Sequence, residues 1–271
     1  MATSQVELSA ETLRLGFIGY GNMASALARG LAAVGALPAA RMSACARDWD
    51  RLQARCAELG VAPCRDAHEV AAASDVVVVA VKPYQVEAVL APLTGELVGK
   101  VVLSVAAGVT FDRYEQILAP GTQHVSCVPN TPVAAGAGVF VVEARDSLTD
   151  ANRAALDALL SQVGIVERVD TDHMGVAGTI AGCGPAWAYM AVEALGDAGV
   201  KHGLTRAQAY RLAAQMLAGS GRMVVESGEH PGALKDAVCS PGGTTIRGVS
   251  ALEHAGFRAA LIDAVDAAEN A

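Results

Sequence analysis

Gly19, Gly21 and Ala24 form a G-x-G-x-x-A series within Gly16-Phe17-Ile18-Gly19-Tyr20-Gly21-Asn22-Met23-Ala24. In such a series the first glycine permits a tight strand-to-helix turn and the second lets a pyrophosphate approach bare backbone. The small third residue lets helix and strand pack closely. The series predicts dinucleotide binding at Gly19, Gly21, Asn22 and Met23. Farther along, Cys45-Ala46 leads into Arg47, where a second strand would end. An acidic residue at that place binds the free ribose 2′-hydroxyl of NAD, whereas arginine suits the 2′-phosphate of NADP. NADPH is therefore the expected cofactor and NADH the alternative. A solvated Arg47 followed by Asp48 as a helix cap fits the same residues.

Two proline-stiffened loops follow strands at the same expected sheet edge. Val76 to Val81 is a β-branched run ending at Lys82-Pro83, and open parallel sheets bind ligands at the carboxyl ends of their strands. Val81, Lys82 and Pro83 are candidate cofactor contacts, with Lys82 suited to phosphate or ribose, although a solvated lysine would be unremarkable there. Val128-Pro129-Asn130-Thr131-Pro132 ends another strand. Its prolines fix a loop from which Asn130 could donate to a nicotinamide or a substrate, and a rigid structural turn fits equally.

Near the carboxyl end, Ser240-Pro241-Gly242-Gly243-Thr244-Thr245-Ile246 can neither fill a core nor extend a helix. Paired glycines let main-chain N–H groups turn toward one point, and a helix starting near Thr245 favours negative charge there. Gly242, Gly243, Thr244 and Thr245 are a candidate nest for a small anion, unless the glycines serve only as a turn between helices.

These residues need elements to hold them. The first half alternates β-branched runs, at 13–18, 42–46, 76–81, 101–105, 124–128, 139–142 and 165–169, with helical stretches such as 23–34 and 150–162, the latter capped by Thr149. That alternation predicts an α/β fold of Rossmann type, a parallel sheet covered on both faces. Beyond residue 170 the strand signals stop. Helices are expected from Gly184-Pro185 to about residue 199, from Arg206 to Ser227 behind a Thr205 cap, and over 252–267. The expected division is a dinucleotide-binding domain over 1–168 and a mostly α-helical domain over 169–271.

Composition narrows the partners. The 271 residues are 52% hydrophobic, ample for a core, and carry a formal net charge of −8, which argues against nucleic acid or an anionic membrane. No apolar run approaches a membrane span, and residues 1–13 lack the basic-then-apolar pattern of an export signal. Six cysteines without CxxC spacing and six scattered histidines lead to an expectation of reduced thiols, no metal and a cytoplasmic location.

Taken together, Gly16 to Ala24, Ala80-Val81-Lys82-Pro83, Ser104-Val105-Ala106-Ala107-Gly108, Pro129-Asn130-Thr131-Pro132, Gly182-Cys183-Gly184-Pro185-Ala186 and Ser240 to Ile246 resemble pyrroline-5-carboxylate reductase. The likeness runs in order through nearly the whole chain. It implies NAD(P)H-dependent reduction of 1-pyrroline-5-carboxylate to L-proline, with Ala106 and Ala107 joining the cofactor contacts. It also implies a substrate carboxylate on the amides around Gly243, Thr244 and Thr245, and a catalytic Thr245 hydroxyl bonded to the ring nitrogen. Self-association as a dimer, often as a decamer of five dimers, follows from the same likeness. The chain departs from the family pattern at Ala67, Val128, Thr171, Ala181 and Trp187. Two other readings are a β-hydroxyacid-dehydrogenase type, which needs a lysine where this chain has Ala188, and a non-catalytic NADP-binding sensor.

Overall fold

The structure is a computed structural model that describes residues 6–270. The expectation about an export signal falls partly on residues 1–5, which lie outside the described residues. The chain forms two compact units that meet in sequence at Cys183 and Gly184.

The first unit is an eight-stranded sheet in the order β3-β2-β1-β4-β5-β6-β7-β8. Its strands are β1 Leu15–Ile18, β2 Met42–Cys45, β3 Ala62–Pro63, β4 Val76–Val79, β5 Val101–Ser104, β6 Gln123–Pro129, β7 Gly138–Glu143 and β8 Gly164–Val169. Helices α1 Asn22–Ala33, α2 Trp49–Leu59, α3 Ala67–Ala73, α4 Val86–Leu90, α5 Phe111–Ile117 and α6 Asp150–Leu160 join them. The β-branched run of β4 is buried at all four positions, and the period of two sends its side chains to opposite faces. Val76 and Val78 pack with Leu27 and Leu31 of α1, Leu52 of α2 and Leu156 of α6. Val77 and Val79 pack with Val70 of α3, Leu90 of α4 and Tyr114 of α5. Each fully buried Leu or Val contributes roughly 1.5–3 kcal/mol. This is a doubly wound sheet, and its first six strands take the Rossmann order 3-2-1-4-5-6.

The sheet is not wholly parallel. β6 and β7 pair antiparallel, with Val128 opposite Val141, because only the short 3₁₀ turn Thr131–Ala135 joins them. A parallel return needs a crossover of a dozen residues or more. Helix α6 supplies one between β7 and β8, which pair parallel. Thr149 caps α6 as expected, accepting from the Asn152 N–H at 3.2 Å.

Helix α7 differs from the sequence expectation. It is one helix, Met174–Lys201, with Pro185 in its interior rather than in its first turn. Proline has no N–H for the carbonyl four residues back, which here belongs to Ala181. That carbonyl instead accepts the Asn130 Nδ2–H at 3.0 Å, so the helix continues past the proline. The other helices are α8 Arg206–Ser227, α9 Pro231–Ala237, α10 Thr244–His254 and α11 Phe257–Glu269. Thr205 caps α8, accepting from the Gln208 N–H at 3.3 Å. The single helix expected over 252–267 is two helices, because the chain turns at Gly256 with a left-handed φ of 76°.

Candidate active site

Strand order reverses direction at the β1–β4 pair, the topological switch point where open α/β sheets bind ligands. A cleft of about 830 Å³ opens there. Gly19, Gly21, Asn22, Met23, Arg47, Val81, Lys82, Pro83, Ala106 and Ala107 all line it. Gly19 has φ of +92°, and a Cβ on it would lie 2.7 Å from the Ala80 carbonyl oxygen, so only glycine makes this turn. A Cβ on Gly21 would meet nothing within 4 Å; the backbone there faces open space that a ligand can fill. Gly21 is also the N-cap of α1, with no side chain closing the first turn. Unpaired N–H groups and the positive end of the helix favour a pyrophosphate at that place.

Neighbouring groups fix the cleft walls. Arg55 donates to the Tyr20 carbonyl at 3.1 Å and to Asn22 Oδ1 at 3.1 Å, which anchors the glycine turn. The Ala106 N–H donates to Ser104 Oγ at 3.2 Å, and Ser104 Oγ shares a short hydrogen bond with the buried Tyr114 hydroxyl. Burial pushes the Tyr114 phenol up to about 12, so it stays neutral. Lys82 is set by reciprocal bonds with Gln85: its N–H donates to Gln85 Oε1 at 3.4 Å and its carbonyl accepts from the Gln85 N–H at 2.8 Å. Cys45 lines the apolar floor, its thiol pushed up to about 11 by burial. Asp48 caps α2, accepting from the Arg51 N–H at 3.0 Å, while Arg47 itself is exposed. Among the described residues neither Arg47 nor Lys82 takes part in a salt bridge. Open glycine backbone, a free helix N-terminus and unpaired cations fit a phosphate-bearing dinucleotide.

Asn130 does not line this cleft. It is buried, with Oδ1 accepting from the Val139 N–H at 2.9 Å and one Nδ2 hydrogen on Ala181. Its side chain holds β7 and α7 in place, and a nicotinamide or substrate would have only the remaining amide hydrogen. Thr171, at one of the family departures, donates to Glu143 Oε1 at 2.6 Å. Glu143 is buried and its other oxygen accepts from the Phe111 N–H at 3.1 Å, at the start of α5.

In the second unit, Gly242 has a left-handed φ of 69°, and the Gly243 N–H turns back onto the Ser240 carbonyl at 3.0 Å. Gly243 is the N-cap of α10 and no side chain closes that cap. Thr244 and Thr245 follow as its first residues, both exposed. The Gly243 amide is thus taken within the turn, and the donors left for an anion are those of the first turn, Thr244 and Thr245. The same unit exposes many large apolar side chains, among them Tyr189 at 63%, Met190 at 67%, Leu212 at 62% and Ile262 at 61%. A monomer rarely shows so much apolar surface.

Sequence reasoning missed Arg65, Asp66 and Gln85, which also line the cleft. Arg65 follows a strand of only two residues, too short for a periodic pattern, and Gln85 sits in a 3₁₀ turn. Among the described residues no helix is long and apolar enough to cross a membrane.

Two family models match the chain. One, described as NADP oxidoreductase coenzyme F420-dependent, covers residues 14–108, and the other, described as pyrroline-5-carboxylate reductase dimerisation, covers residues 171–271. The chain is 47% identical to the pyrroline-5-carboxylate reductase of Treponema pallidum, over 94% of this chain and 98% of that one. Identity to the enzyme of that name from Escherichia coli K12 is 39%, over 93% and 94%. The crystal structure of Plasmodium falciparum pyrroline carboxylate reductase with NADP bound superposes with a TM-score of 0.83 at 30% identity, covering 97% of each chain. With a dimerisation model matching residues 171–271 and 47% identity over 94% of its length, the chain belongs to the pyrroline-5-carboxylate reductase family.

Proposed function

We propose that the chain reduces 1-pyrroline-5-carboxylate to L-proline with NADPH. The observation that carries this assignment is the open first turn of α10 behind Gly242-Gly243, whose free amides suit a small anion, in a chain whose other unit has a cleft suited to a dinucleotide. When bound, the reduced nicotinamide supplies the hydride for the imine carbon. The protein's part is to hold, orient and protonate. The first-turn N–H groups of Thr244 and Thr245 take the substrate carboxylate, and the Thr245 hydroxyl hydrogen-bonds the ring nitrogen. A threonine hydroxyl is too weak an acid to originate the proton, so it orients or relays one that comes from water. The Rossmann unit grips the pyrophosphate on the first turn of α1 and the 2′-phosphate on Arg47, with Lys82 on phosphate or ribose.

Several finer points belong to the same proposal. The functional boundary is placed at 168/169, one residue before the end of β8, ahead of the division between the compact units at Cys183 and Gly184. The exposed apolar residues of the helical unit support assembly as a dimer or a decamer of dimers. Six free cysteines, four of them buried, support the cytoplasm as the location.

The test is oxidation of NADPH on addition of 1-pyrroline-5-carboxylate, compared with NADH and with a six-membered cyclic imine acid. Thr245→Ala lowers kcat by roughly 10- to 1000-fold, as expected when a hydrogen bond of about 1.4–4 kcal/mol strengthens in the transition state. NADPH binding without turnover of any cyclic imine would favour the sensor instead. Unchanged turnover in folded Thr245→Ala would remove Thr245 from the mechanism.

A further inference from the structure

Arg65 follows β3 just as Arg47 follows β2, and the two strands are parallel neighbours with Ala44 opposite Pro63. The carboxyl ends of adjacent strands therefore bring both arginines to the same cleft. The Arg65 guanidinium lies over the half-buried Trp49 ring, 3.8 Å from its centroid. Its backbone N–H donates to Glu69 Oε2 at 2.7 Å, so both ends of the residue are fixed. Stacking uses the guanidinium face and leaves the N–H edge free. Carboxylates stand close by: Asp66 lines the cleft and caps α3, accepting from the Glu69 N–H at 2.9 Å. Even so, Arg65 forms no ion pair with Asp66, Glu69 or any other described carboxylate. A guanidinium held on an aromatic shelf, with its donors unpaired at a cleft, is prepared for an outside anion.

We propose that Arg65 is a second ligand for the cofactor 2′-phosphate, held ready by Trp49, so that selectivity for NADP(H) comes from the Arg47–Arg65 pair rather than from Arg47 alone. The pair approaches the phosphate from two strands, and either arginine by itself retains part of the preference. Arg65 acts on binding, not on the reacting atoms, and its role rests on the cleft's holding NADP(H).

Calorimetric titration of the full chain with adenosine 2′,5′-bisphosphate and with 5′-AMP tests this without turnover. Arg65→Gln is expected to weaken the bisphosphate by about 10- to 100-fold, the range for a charge-assisted hydrogen bond, and to leave 5′-AMP within about twofold. Trp49→Leu keeps the arginine but removes its shelf, and is expected to weaken the bisphosphate by about 2- to 10-fold with 5′-AMP unchanged. Equal losses for both fragments in Arg65→Gln would overturn the assignment and put Arg65 on the adenine or ribose. No loss for either would overturn it as well. Equal affinity of the unaltered chain for the two fragments would remove the 2′-phosphate from this end of the cleft, a failure of the cofactor assignment itself. An unchanged circular dichroism spectrum and melting temperature identify folded variants, and Arg65→Lys, which keeps the charge, is expected to fall between the unaltered chain and Arg65→Gln.

Discussion

Pro185 and Asn130 are coupled through a single carbonyl, and a double-mutant cycle can measure that coupling. In Asn130→Ala the Ala181 carbonyl loses its only side-chain donor among the described residues and the Val139 N–H loses its side-chain acceptor. Asn130 is 7% exposed and Ala181 8%, so water does not readily replace those bonds. Leaving a buried polar group unpaired costs about 1–3 kcal/mol, and Val139 is only half-buried. The single variant should therefore lose about 2–5 kcal/mol. Pro185→Ala restores a backbone N–H four residues after Ala181, giving that carbonyl a helical partner. On the Pro185→Ala background the same Asn130→Ala change should cost about 1–2 kcal/mol less. Urea unfolding of the four proteins, at one fixed protein concentration because the chain self-associates, gives the coupling directly. Additivity within about 0.5 kcal/mol would show that the Asn130 bond does not substitute for the one Pro185 lacks.

Four further outcomes are expected. Gly19→Ala puts a Cβ 2.7 Å from the Ala80 oxygen at φ of +92° and should lower the melting temperature, at a cost of about 1–3 kcal/mol. Gly21→Ala meets nothing within 4 Å, so it should melt unchanged yet bind NADPH roughly tenfold or more weakly; a Gly21→Ala protein with full affinity would remove the pyrophosphate from α1. Arg47→Asp should raise KM for NADPH by about 10- to 100-fold and change KM for NADH much less, and parallel changes in both would free Arg47 of the 2′-phosphate. The Asp146 side chain is shielded from solvent between Arg153 at 2.8 Å and Arg168 at 3.0 Å, although its backbone is partly exposed. Burial acts to raise its carboxyl, but bonds from Arg153 and the Leu148 N–H, with the nearby arginine charges, outweigh burial and leave it lowered. A folded-state value below the unfolded one means that its stabilisation is fully present above about pH 4 and is lost as pH falls through the folded value. Asp146→Asn should thus cost about 3 kcal/mol at pH 7, with the gap to the unaltered protein closing below about pH 4. A gap that stays constant into acid would rule out Asp146 as the titrating group.

Local rules in the sequence were enough for the Rossmann half and for most of its cleft. The glycine series, the position of Arg47 after a strand and the β-branched run before Lys82 depend on neighbours within a few residues, and the eight candidates they gave line one cleft, together with Ala106 and Ala107, which only the family resemblance supplied. Thr149 and Thr205 were legible as caps for the same reason: a hydroxyl three residues before an N–H is a local event. Tertiary structure decided what depends on residues far apart in the chain. Pro185 reads as a helix start until Asn130, distant in sequence, reaches the carbonyl that proline leaves open. Arg65 carries no signal of its own in the sequence, and it is pairing of β3 with β2 that brings it to the cleft, where it stacks on Trp49. The antiparallel turn from β6 to β7 and the break at Gly256 likewise follow from packing and backbone geometry that periodicity does not encode. Sequence therefore determined most strands of the Rossmann half, the Thr149 and Thr205 caps and where bare glycine backbone turns at a strand end, because those are short-range steric and hydrogen-bonding preferences. Only the folded chain decided which side chains remain free for a ligand and which are committed to a distant carbonyl, because that depends on which donors and acceptors the fold brings together.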